Sequence, residues 1–438
     1  MNKEIHFKVH RILLHAFVFA LPFSTPSRIF PQGANILLNV TPMLLALFLL
    51  NWLLEADFKA KFRRLKENKL TFLFCVSALF YALYLVGMTY SSNLKFGKDD
   101  IFLKLPFLLF PLLFFTANPA AWKPKTAQNL LYTFALGNLL TLLISLVRSF
   151  FSCGETFSIE CFHYANASLF FHSSYASMYY CFSLLIIFNL LINKQLCLWK
   201  RITAWFMFFV FPAEIVLLDS RTGLIAFAVV IMAFAGYMLV FDRKKILSFG
   251  FYMGLLAVIF TVAFSLLPQG TNRLLATIRQ TQIEKIEEEG DEQQPTEKMS
   301  FENIDARAQV WFAAVEVIKE NPVCGVGTGD VKDVLIEKYA KYDFDVPLRK
   351  RLNAHNQYLQ VAVTLGVIGL AVFVVFLVYL FWLSWKKRNI LLFLFVLLGM
   401  VNFWTESMFE KQIGVMFFAF FFALLSYIAA NNLMEKEE

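Results

Sequence analysis

Two stretches in the second half of the chain carry side chains that could do chemistry. One runs from Arg307 to Gly329 (RAQVWFAAVEVIKENPVCGVGTG), and the other runs from Leu352 to Gln360 (LNAHNQYLQ) and leads into an apolar run. An arginine offers a planar fork of donors that fits phosphate oxygens, which a lysine cannot reproduce. A histidine such as His355 can be neutral at physiological pH and accept a proton from a hydroxyl. These residue types suit a site that binds an anion and activates a hydroxyl.

Arg221 and Arg307 are the candidate anion-binding residues. Arg221 lies in the turn 219–223 (DSRTG) between two long apolar runs, where it either extends to a membrane interface or meets an anion. A short turn with an arginine at membrane depth is costly without an anion, which favours the second interpretation. Arg307 opens a predicted helix, where the helix dipole does not favour a cation. It either forms an ion pair with Asp305 or Glu302, or it contacts a ligand.

Two histidines and two glutamates complete the candidate set. His355 is the candidate general base, and the alternative is an interfacial residue without chemistry. His172 precedes another apolar run in the same way, so we expect the two histidines to face one vestibule. Glu406 and Glu410 flank a predicted turn at the same level. We expect them to pair with an arginine or Lys411 and to order the site, although one of them could serve as the base.

The glycine-rich sequence GVGTGD at 325–330 has two interpretations. Its backbone could form a nest that binds phosphate, with Gly327 as a supporting residue. It lacks, however, the preceding strand and the βαβ context of a dinucleotide site. We therefore favour a turn before a helix that begins near Asp330.

The six cysteines form no metal-ligand pattern, and no spacing of Asp, Glu, His or Cys predicts a metal cage. We expect neither a metal ion nor another cofactor. Only Cys153 and Cys161 look like a pair. An oxidising compartment would permit a disulfide between them, and the sequence leaves open whether it forms.

Composition determines the fold class. Hydrophobic residues make up 58% of the 438 residues and charged residues only 16%, with 52 phenylalanines, which excludes a soluble surface. Runs of about 20 apolar residues, enough to cross roughly 30 Å of hydrocarbon, favour helices over barrel strands. The sequence predicts an all-α polytopic membrane protein, surrounded by lipid. It has about twelve transmembrane helices, at residues 10–27, 35–54, 70–90, 101–117, 127–148, 173–193, 202–219, 222–241, 246–267, 356–383, 390–407 and 412–431.

Lysines and arginines concentrate in every second short loop, which the positive-inside rule assigns to the cytoplasm. These basic loops lie at 59–69, 123–125, 194–201, 243–245 and 386–388. Both termini are then cytoplasmic, and the net charge of +8 reflects topology instead of nucleic-acid binding. The other loops, with the candidate residues, face the opposite side. A charged set held beside a bilayer suggests a lipid-linked anionic substrate.

One loop on that opposite side, 268–355, is far longer than the others. It separates predicted transmembrane helices one to nine, at 1–267, from helices ten to twelve with a cytoplasmic tail, at 356–438. Within the loop, we expect the acidic segment 284–297 to be mobile or weakly helical. Residues 308–319 have the apolar periodicity of a helix that lies against the membrane or the helix bundle.

Three segments together resemble the O-antigen ligase and O-antigen polymerase-like membrane glycosyltransferases. They are SRTG at 220–223, RAQVWFAAVEVIKENPVCGVGTGD at 307–330 and AHNQYLQVAVTLGVIG at 354–369. The resemblance covers the chain from about the sixth predicted span onward. One large loop between spans nine and ten is similar to the ligase arrangement, whereas the polymerases typically have two sizeable outer loops.

The resemblance implies that a preassembled glycan passes from a polyprenyl diphosphate carrier to an acceptor hydroxyl, without a nucleotide sugar or a metal ion. The reaction would take place at the periplasmic face of a bacterial inner membrane, with lipid A core as the acceptor. Arg221 and Arg307 match the family arginines that engage the diphosphate, and His355 matches the loop histidine that activates the acceptor. We expect inversion at the anomeric carbon, because the activated hydroxyl would displace the diphosphate directly.

Other functions remain open at this point. A protein O-oligosaccharyltransferase, acting on Ser or Thr of secreted proteins, and an O-antigen repeat-unit polymerase would use the same donor chemistry. A non-enzymatic transporter of lipid-linked sugars is a further alternative. It predicts internal repeats and charged groups near the bilayer midplane, whereas the polar candidates here gather at the outer face.

Overall fold

The chain folds into a bundle of helices. The computed structural model describes residues 3–24, 36–119, 122–153, 159–163, 167–170, 172–194, 196–265 and 306–433. These residues contain helices and no strand, which confirms the predicted all-α class. Within the described ranges the α-helices α1 to α17 are, in chain order, Lys3–Ala20, Ile36–Glu55, Phe58–Glu67, Thr71–Met88, Leu94–Lys104, Pro106–Phe115, Pro124–Ser152, Ser173–Ile192, Leu198–Leu217, Arg221–Phe241, Ile246–Ser265, Ala306–Glu320, Val331–Lys341, Asp345–Lys350, Gln357–Lys386, Ile390–Thr405 and Gln412–Ala430.

Six of the described helices are long and apolar enough to cross a membrane, namely α4, α7, α8, α10, α15 and α17. A seventh candidate joins Val40–Glu55 of α2 to α3 across a bend of 108°. Shorter apolar helices are Ile246–Val262 within α11 and Ile390–Thr405, which is α16. These helices indicate a multi-pass membrane protein, and the number of twelve spans stays a prediction.

The fourth predicted span, 101–117, is two helices in the structure. α5 ends at Lys104 and α6 begins at Pro106, whose ring supplies no backbone N–H for a continuous hydrogen-bond ladder. Asp100 and Lys104 of α5 are buried in the interior, where their side chains form an ion pair. A single uninterrupted apolar span therefore does not describe this part of the chain.

The interior of the bundle is built largely from aromatic rings on α8 and α17. Every residue of α8 is buried, and so is nearly every residue of α17. The ring of Phe417 stacks on that of Tyr179 with 4.4 Å between centroids, and Phe395 stacks on Phe418 at 5.3 Å. α8 and α17 are thus central helices. Part of the high phenylalanine content fills the core instead of facing lipid.

The candidate residues gather at one end of the bundle, which we call the His355 end. The N-termini of α8, α10 and α15, the C-terminus of α16 and the turn 406–411 meet there. The basic loops lie at the opposite end. There, Nζ of Lys387 donates to the carbonyl of Ala430 at 3.1 Å, and Asn68 donates to the last carbonyl of α6 at 3.1 Å. The positive-inside rule predicts such a separation for helices that alternate in direction.

Helices α12 to α14 form a small second core at the His355 end. Val310 and Val317 of α12 pack with Leu335 and Tyr339 of α13, and all four side chains are fully buried. The helix predicted at 308–319 is α12, and its apolar stripe faces this core. The small helices are thereby held as one unit beside the bundle.

Two further expectations concern the large loop. α13 begins at Val331, directly after Asp330, where the sequence places the start of a helix. The acidic segment 284–297 lies outside the described residues.

A break in α15 docks the glycine-rich turn against the bundle. Gly366 has φ 65° and ψ −164°, a backbone conformation that is essentially restricted to glycine, so α15 consists of two helical segments. The carbonyls of Val363 and Thr364, freed by the break, accept hydrogen bonds from the backbone N–H groups of Val326 and Gly327 at 2.9 and 3.0 Å. The large loop is thus joined to a membrane helix by main-chain hydrogen bonds.

Replacing Gly366 by alanine should destabilise the folded protein. An added Cβ would lie 2.1 Å from the carbonyl oxygen of Val323, and the backbone conformation disfavours any L side chain. The strain alone costs about 1–3 kcal/mol. The melting temperature of the detergent-solubilised protein should therefore fall by several degrees. Gly236→Ala in α10, where a Cβ meets nothing within 4 Å, is the control and should melt as the wild type does. Equal melting temperatures for the two variants would contradict the docking.

Candidate functional site

His355 is held against a carboxylate. It lies just before α15, and its Nδ1 is 2.8 Å from Oε2 of Glu406, the residue that follows α16. The backbone N–H of His355 donates to Oδ1 of Asn353 at 3.1 Å. Its φ of 43° is uncommon for a residue other than glycine, and such a conformation persists only where surrounding contacts hold it. The imidazole therefore projects from a defined turn.

The two segments that carry this pair are joined by further hydrogen bonds. The backbone N–H of Asn356 donates to Oγ of Ser407 at 3.2 Å, and the N–H of Phe409 donates to Oε1 of Gln357 at 2.7 Å. The side chain of Asn356 also caps α15 by accepting from two N–H groups of its first turn. All four of these residues are buried. The position of the histidine relative to the glutamate is thus fixed by hydrogen bonds from backbone N–H groups to buried side chains.

The pair has the arrangement of a base and its orienting carboxylate. A hydrogen bond from Nδ1–H of His355 to Glu406 assigns the tautomer whose Nε2 accepts a proton. An ionised carboxylate at this position also stabilises the imidazolium that forms when Nε2 takes up that proton. The arrangement can therefore deprotonate a hydroxyl group that approaches Nε2.

The charges around Glu406 keep it ionised. Burial works to raise the pKa of Glu406, but the hydrogen bond with His355 and the electrostatic effects of His355, His172 and Arg307 outweigh burial and lower that pKa below its ordinary value. Arg307, the second residue of α12, is exposed at its helix start. Its charge reaches the carboxylate, so the large loop contributes to the electrostatics of the pair.

His172 lies within the electrostatic reach of the same groups. The pKa of His172 is lowered, first by partial desolvation of the ring and then by the charges of His355, Lys411 and Arg307, while Glu406 opposes them. His172 is therefore a neutral imidazole at neutral pH and can form hydrogen bonds without carrying a charge. The structure brings these five residues together at the His355 end.

Arg221 reaches the same end from α10. It is the first residue of that helix and is exposed, and Oγ of Ser220 caps the helix by accepting from the N–H of Gly223 at 3.1 Å. α10 lies tightly against α8, because a Cβ on Gly223 would be 2.4 Å from Oγ of Ser177. This packing places Arg221 beside the N-terminus of α8, which begins after His172.

The turn before α10 is anchored by residues that the sequence does not single out. Asp219 has a left-handed φ of 46°, and its Oδ2 lies 3.6 Å from Nε2 of His163. His163 follows the short helix Ile159–Phe162, and a disulfide between Cys153 and Cys161 ties that helix to the end of α7. The disulfide that the sequence leaves open is therefore present. No motif connects Asp219 with His163, so only the folded structure shows their contact.

The glycine-rich turn uses its backbone N–H groups within the protein. Val326 and Gly327 donate to the break in α15, Thr328 donates to a carbonyl of α4 at 3.3 Å, and Gly329 donates to Oγ of Ser91 at 2.9 Å. Gly327 has φ 93°, and a Cβ on it would lie 2.5 Å from the same Ser91 oxygen. Close packing accounts for the glycines, and this geometry favours the turn over a phosphate nest.

Glu410 belongs to a buried ion cluster. Its Oε1 lies 3.3 Å from Nζ of Lys104, which also pairs with Asp100 and lies 4.7 Å from the ring centroid of Tyr84. The sequence predicts an arginine or Lys411 as the partner of each glutamate. The contacts found are with a histidine for Glu406 and with a lysine of α5 for Glu410.

The donor set at this end suits an anion more than a metal ion. Within the described part of the chain, no group of three or more His, Cys, Asp and Glu side chains is placed to hold a metal. Arginine side chains and a histidine–carboxylate pair instead offer cationic donors and a proton acceptor.

Residues 202–374 match a protein-family model described as O-Antigen ligase. This part of the chain is therefore similar to the O-antigen ligase family. The resemblance is thereby confirmed over a region that contains Arg221, Arg307 and His355, whereas Glu406 lies beyond it. The domain supports glycosyltransferase activity of the O-antigen ligase or polymerase type in a multi-pass membrane protein. No curated protein was found to match the chain.

Proposed function

We propose that this protein transfers a preassembled glycan from a polyprenyl diphosphate carrier to a hydroxyl of lipid A core, at the periplasmic face of a bacterial inner membrane. The transfer inverts the anomeric configuration and needs no metal ion. The observation that carries the proposal is the 2.8 Å contact of His355 with Glu406. Arg221 and Arg307, which lie in the region that matches the ligase family, are at the same end of the bundle.

His355 acts as the general base in this mechanism. Its Nε2 accepts the proton of the acceptor O–H while Glu406 holds Nδ1–H. The acceptor oxygen forms a bond to the anomeric carbon, and the bond from that carbon to the diphosphate oxygen breaks. The diphosphate leaves with the electron pair, so a single displacement inverts the anomeric carbon.

Arg221 and Arg307 bind the diphosphate and stabilise the charge that develops on it. Charge-assisted hydrogen bonds from guanidinium groups are strong where water is partly excluded. Both arginines are exposed in the first turn of their helices, where a lipid-linked substrate can meet them. His172, neutral because its pKa is lowered, supplies a hydrogen bond to the substrate without competing for the proton.

A transfer assay with purified protein tests the function. The donor is a polyprenyl diphosphate-linked glycan, a chelator is present, and three acceptors are offered separately: lipid A core, a Ser/Thr-rich secreted protein and a second lipid-linked repeat unit. We expect product on lipid A core, and a loss of about 100-fold or more in His355→Ala, as removal of a general base produces. His15→Ala is the matched control. Among the described hydrogen bonds, the ring of His15 contacts only a backbone carbonyl of its own helix, α1.

Other outcomes of the assay would contradict parts of the proposal. Product on the secreted protein or on the second lipid-linked unit would assign that acceptor instead of lipid A core. Retained anomeric configuration would exclude the single displacement. Folded protein that forms no product, but moves the lipid-linked glycan across a vesicle bilayer, would be a transporter.

Arg221→Lys should lose most of the transfer activity. Lysine keeps the charge but cannot present two parallel donors to a phosphate, so we expect at least about a tenfold fall in kcat/KM for the donor. Arg349→Lys is the control, because Arg349 is exposed and pairs with Asp345 of its own helix. Near-normal turnover of Arg221→Lys at equal expression would remove Arg221 from the site.

A further inference from the structure

A cavity of about 370 Å³, with charged and polar side chains on its wall, lies next to the segments that carry His355 and Glu406. Its walls come from α5, α13, the segment that leads into α15 and the turn 406–411. The volume falls within the range of about 300–1,000 Å³ that is usual for small-ligand sites. The cavity can therefore hold a ligand of the size of a sugar unit.

One wall of the cavity is a fixed ion cluster. Asp100 and Glu410 both line the cavity, and both pair with Lys104, which lies behind them and is fully buried. A buried ammonium group between two carboxylates is stable only while both partners stay in place. The single ammonium group offsets one of the two carboxylate charges, so the cluster keeps one negative charge and holds the wall in position.

The remaining charges on the cavity are mainly positive. Lys332, Arg351 and Lys411 line it, against one further carboxylate, that of Asp99. Arg351 lies 4.0 Å from Asp333, and both side chains are largely exposed, so this pair is weak. With Lys104 behind the wall, four cations face three carboxylates, so the cavity has a small excess of positive charge and favours a ligand that carries negative charge.

The uncharged lining suits a sugar ring. Asn353 and Gln360 place side-chain amides on the wall, and an amide can both donate to and accept from hydroxyl groups. The ring of Phe96 adds an apolar face against which the C–H groups of a sugar can pack. Amides, carboxylates and an aromatic ring around a space of this size provide the contacts that a polyhydroxylated ring needs.

The cavity and the proposed diphosphate site lie on different helices around His355. Asn353 lines the cavity and accepts the backbone hydrogen bond of His355, and Glu410 lies in the same turn as Glu406. Arg221, in contrast, lies on α10 beside α8. A ligand in the cavity can thus approach the base without occupying the place of the donor diphosphate.

We propose that this cavity binds a sugar of the acceptor that carries a phosphate or a carboxylate, through Lys332, Arg351 and Lys411. The assignment of this sugar to the acceptor rests on the proposed function. The binding of an anionic sugar is independent of it.

Isothermal titration calorimetry on the full-length solubilised protein tests the cavity without turnover. The probes are a phosphorylated lipid A core oligosaccharide and the same oligosaccharide after dephosphorylation. We expect Kd for the phosphorylated form to rise about tenfold or more in Lys332→Glu, and to stay near the wild-type value in Lys332→Arg, as loss of a charge-assisted contact predicts. In the wild type, Kd for the dephosphorylated form should be higher than Kd for the phosphorylated form, and it should change little in the variants. Lys341→Glu, on the exposed end of the same helix, is the control. Arg351→Gln is a second variant in case Lys332→Glu fails to fold.

The results separate the cavity from the proposed function. Equal Kd values for wild type, Lys332→Glu and Arg351→Gln, or no binding of either oligosaccharide, would overturn the cavity proposal. Cavity-dependent binding without transfer in the assay would leave the cavity site standing and refute the transferase. Where transfer occurs, Lys332→Glu should raise KM for the acceptor and not for the donor, and the opposite pattern would assign the cavity to the donor glycan.

Discussion

The hydrogen bond between His355 and Glu406 is the contact on which the proposed mechanism depends. The two residues are 51 positions apart, one before α15 and one after α16, and their side-chain atoms lie 2.8 Å apart. A base of this kind needs its tautomer fixed, because only one nitrogen can accept the proton. Two neighbouring hydrogen bonds hold the two segments in the register that this requires. They run from the backbone N–H of Asn356 to the side chain of Ser407 and from the backbone N–H of Phe409 to the side chain of Gln357.

The rest of the His355 end supports that contact through polar groups in the interior of an otherwise aromatic bundle. Lys104 would be costly to bury alone, and it is stable only between Asp100 and Glu410, so the turn after Glu406 is tied to α5. The large loop is tied in a different way, by backbone hydrogen bonds to the break at Gly366. Two separate constraints therefore bring the loop and the turn to the same place.

The helices were predictable because their signal is local. Long apolar runs and basic loops follow from the cost of placing charge and unpaired backbone in hydrocarbon, and each can be recognised in one stretch of sequence. The candidate arginines and His355 were also recognisable, since a helix start or a membrane interface is an unusual place for them. The helix after Asp330 and α12 followed from capping and periodicity.

The contacts between distant segments were not predictable in this way. Nothing in the sequence near Glu410 indicates Lys104, and nothing near Asp219 indicates His163, because both pairs depend on how helices cross. A glycine can mark a tight turn, a close approach or a ligand site, and only the packed structure shows that Gly366 marks a break that receives another segment. The start of α6 at Pro106 could not be predicted from the proline alone, since proline also occurs inside α2 and α9.

The maximal transfer rate of Glu406→Gln tests the central claim most directly. In the wild type the carboxylate accepts Nδ1–H of His355 and stabilises the imidazolium that forms as Nε2 takes the proton of the acceptor. The neutral amide removes this stabilisation. We predict that the maximal rate falls at least about tenfold, because the tautomer is no longer fixed. A maximal rate equal to that of the wild type would contradict the claim that Glu406 orients a catalytic His355.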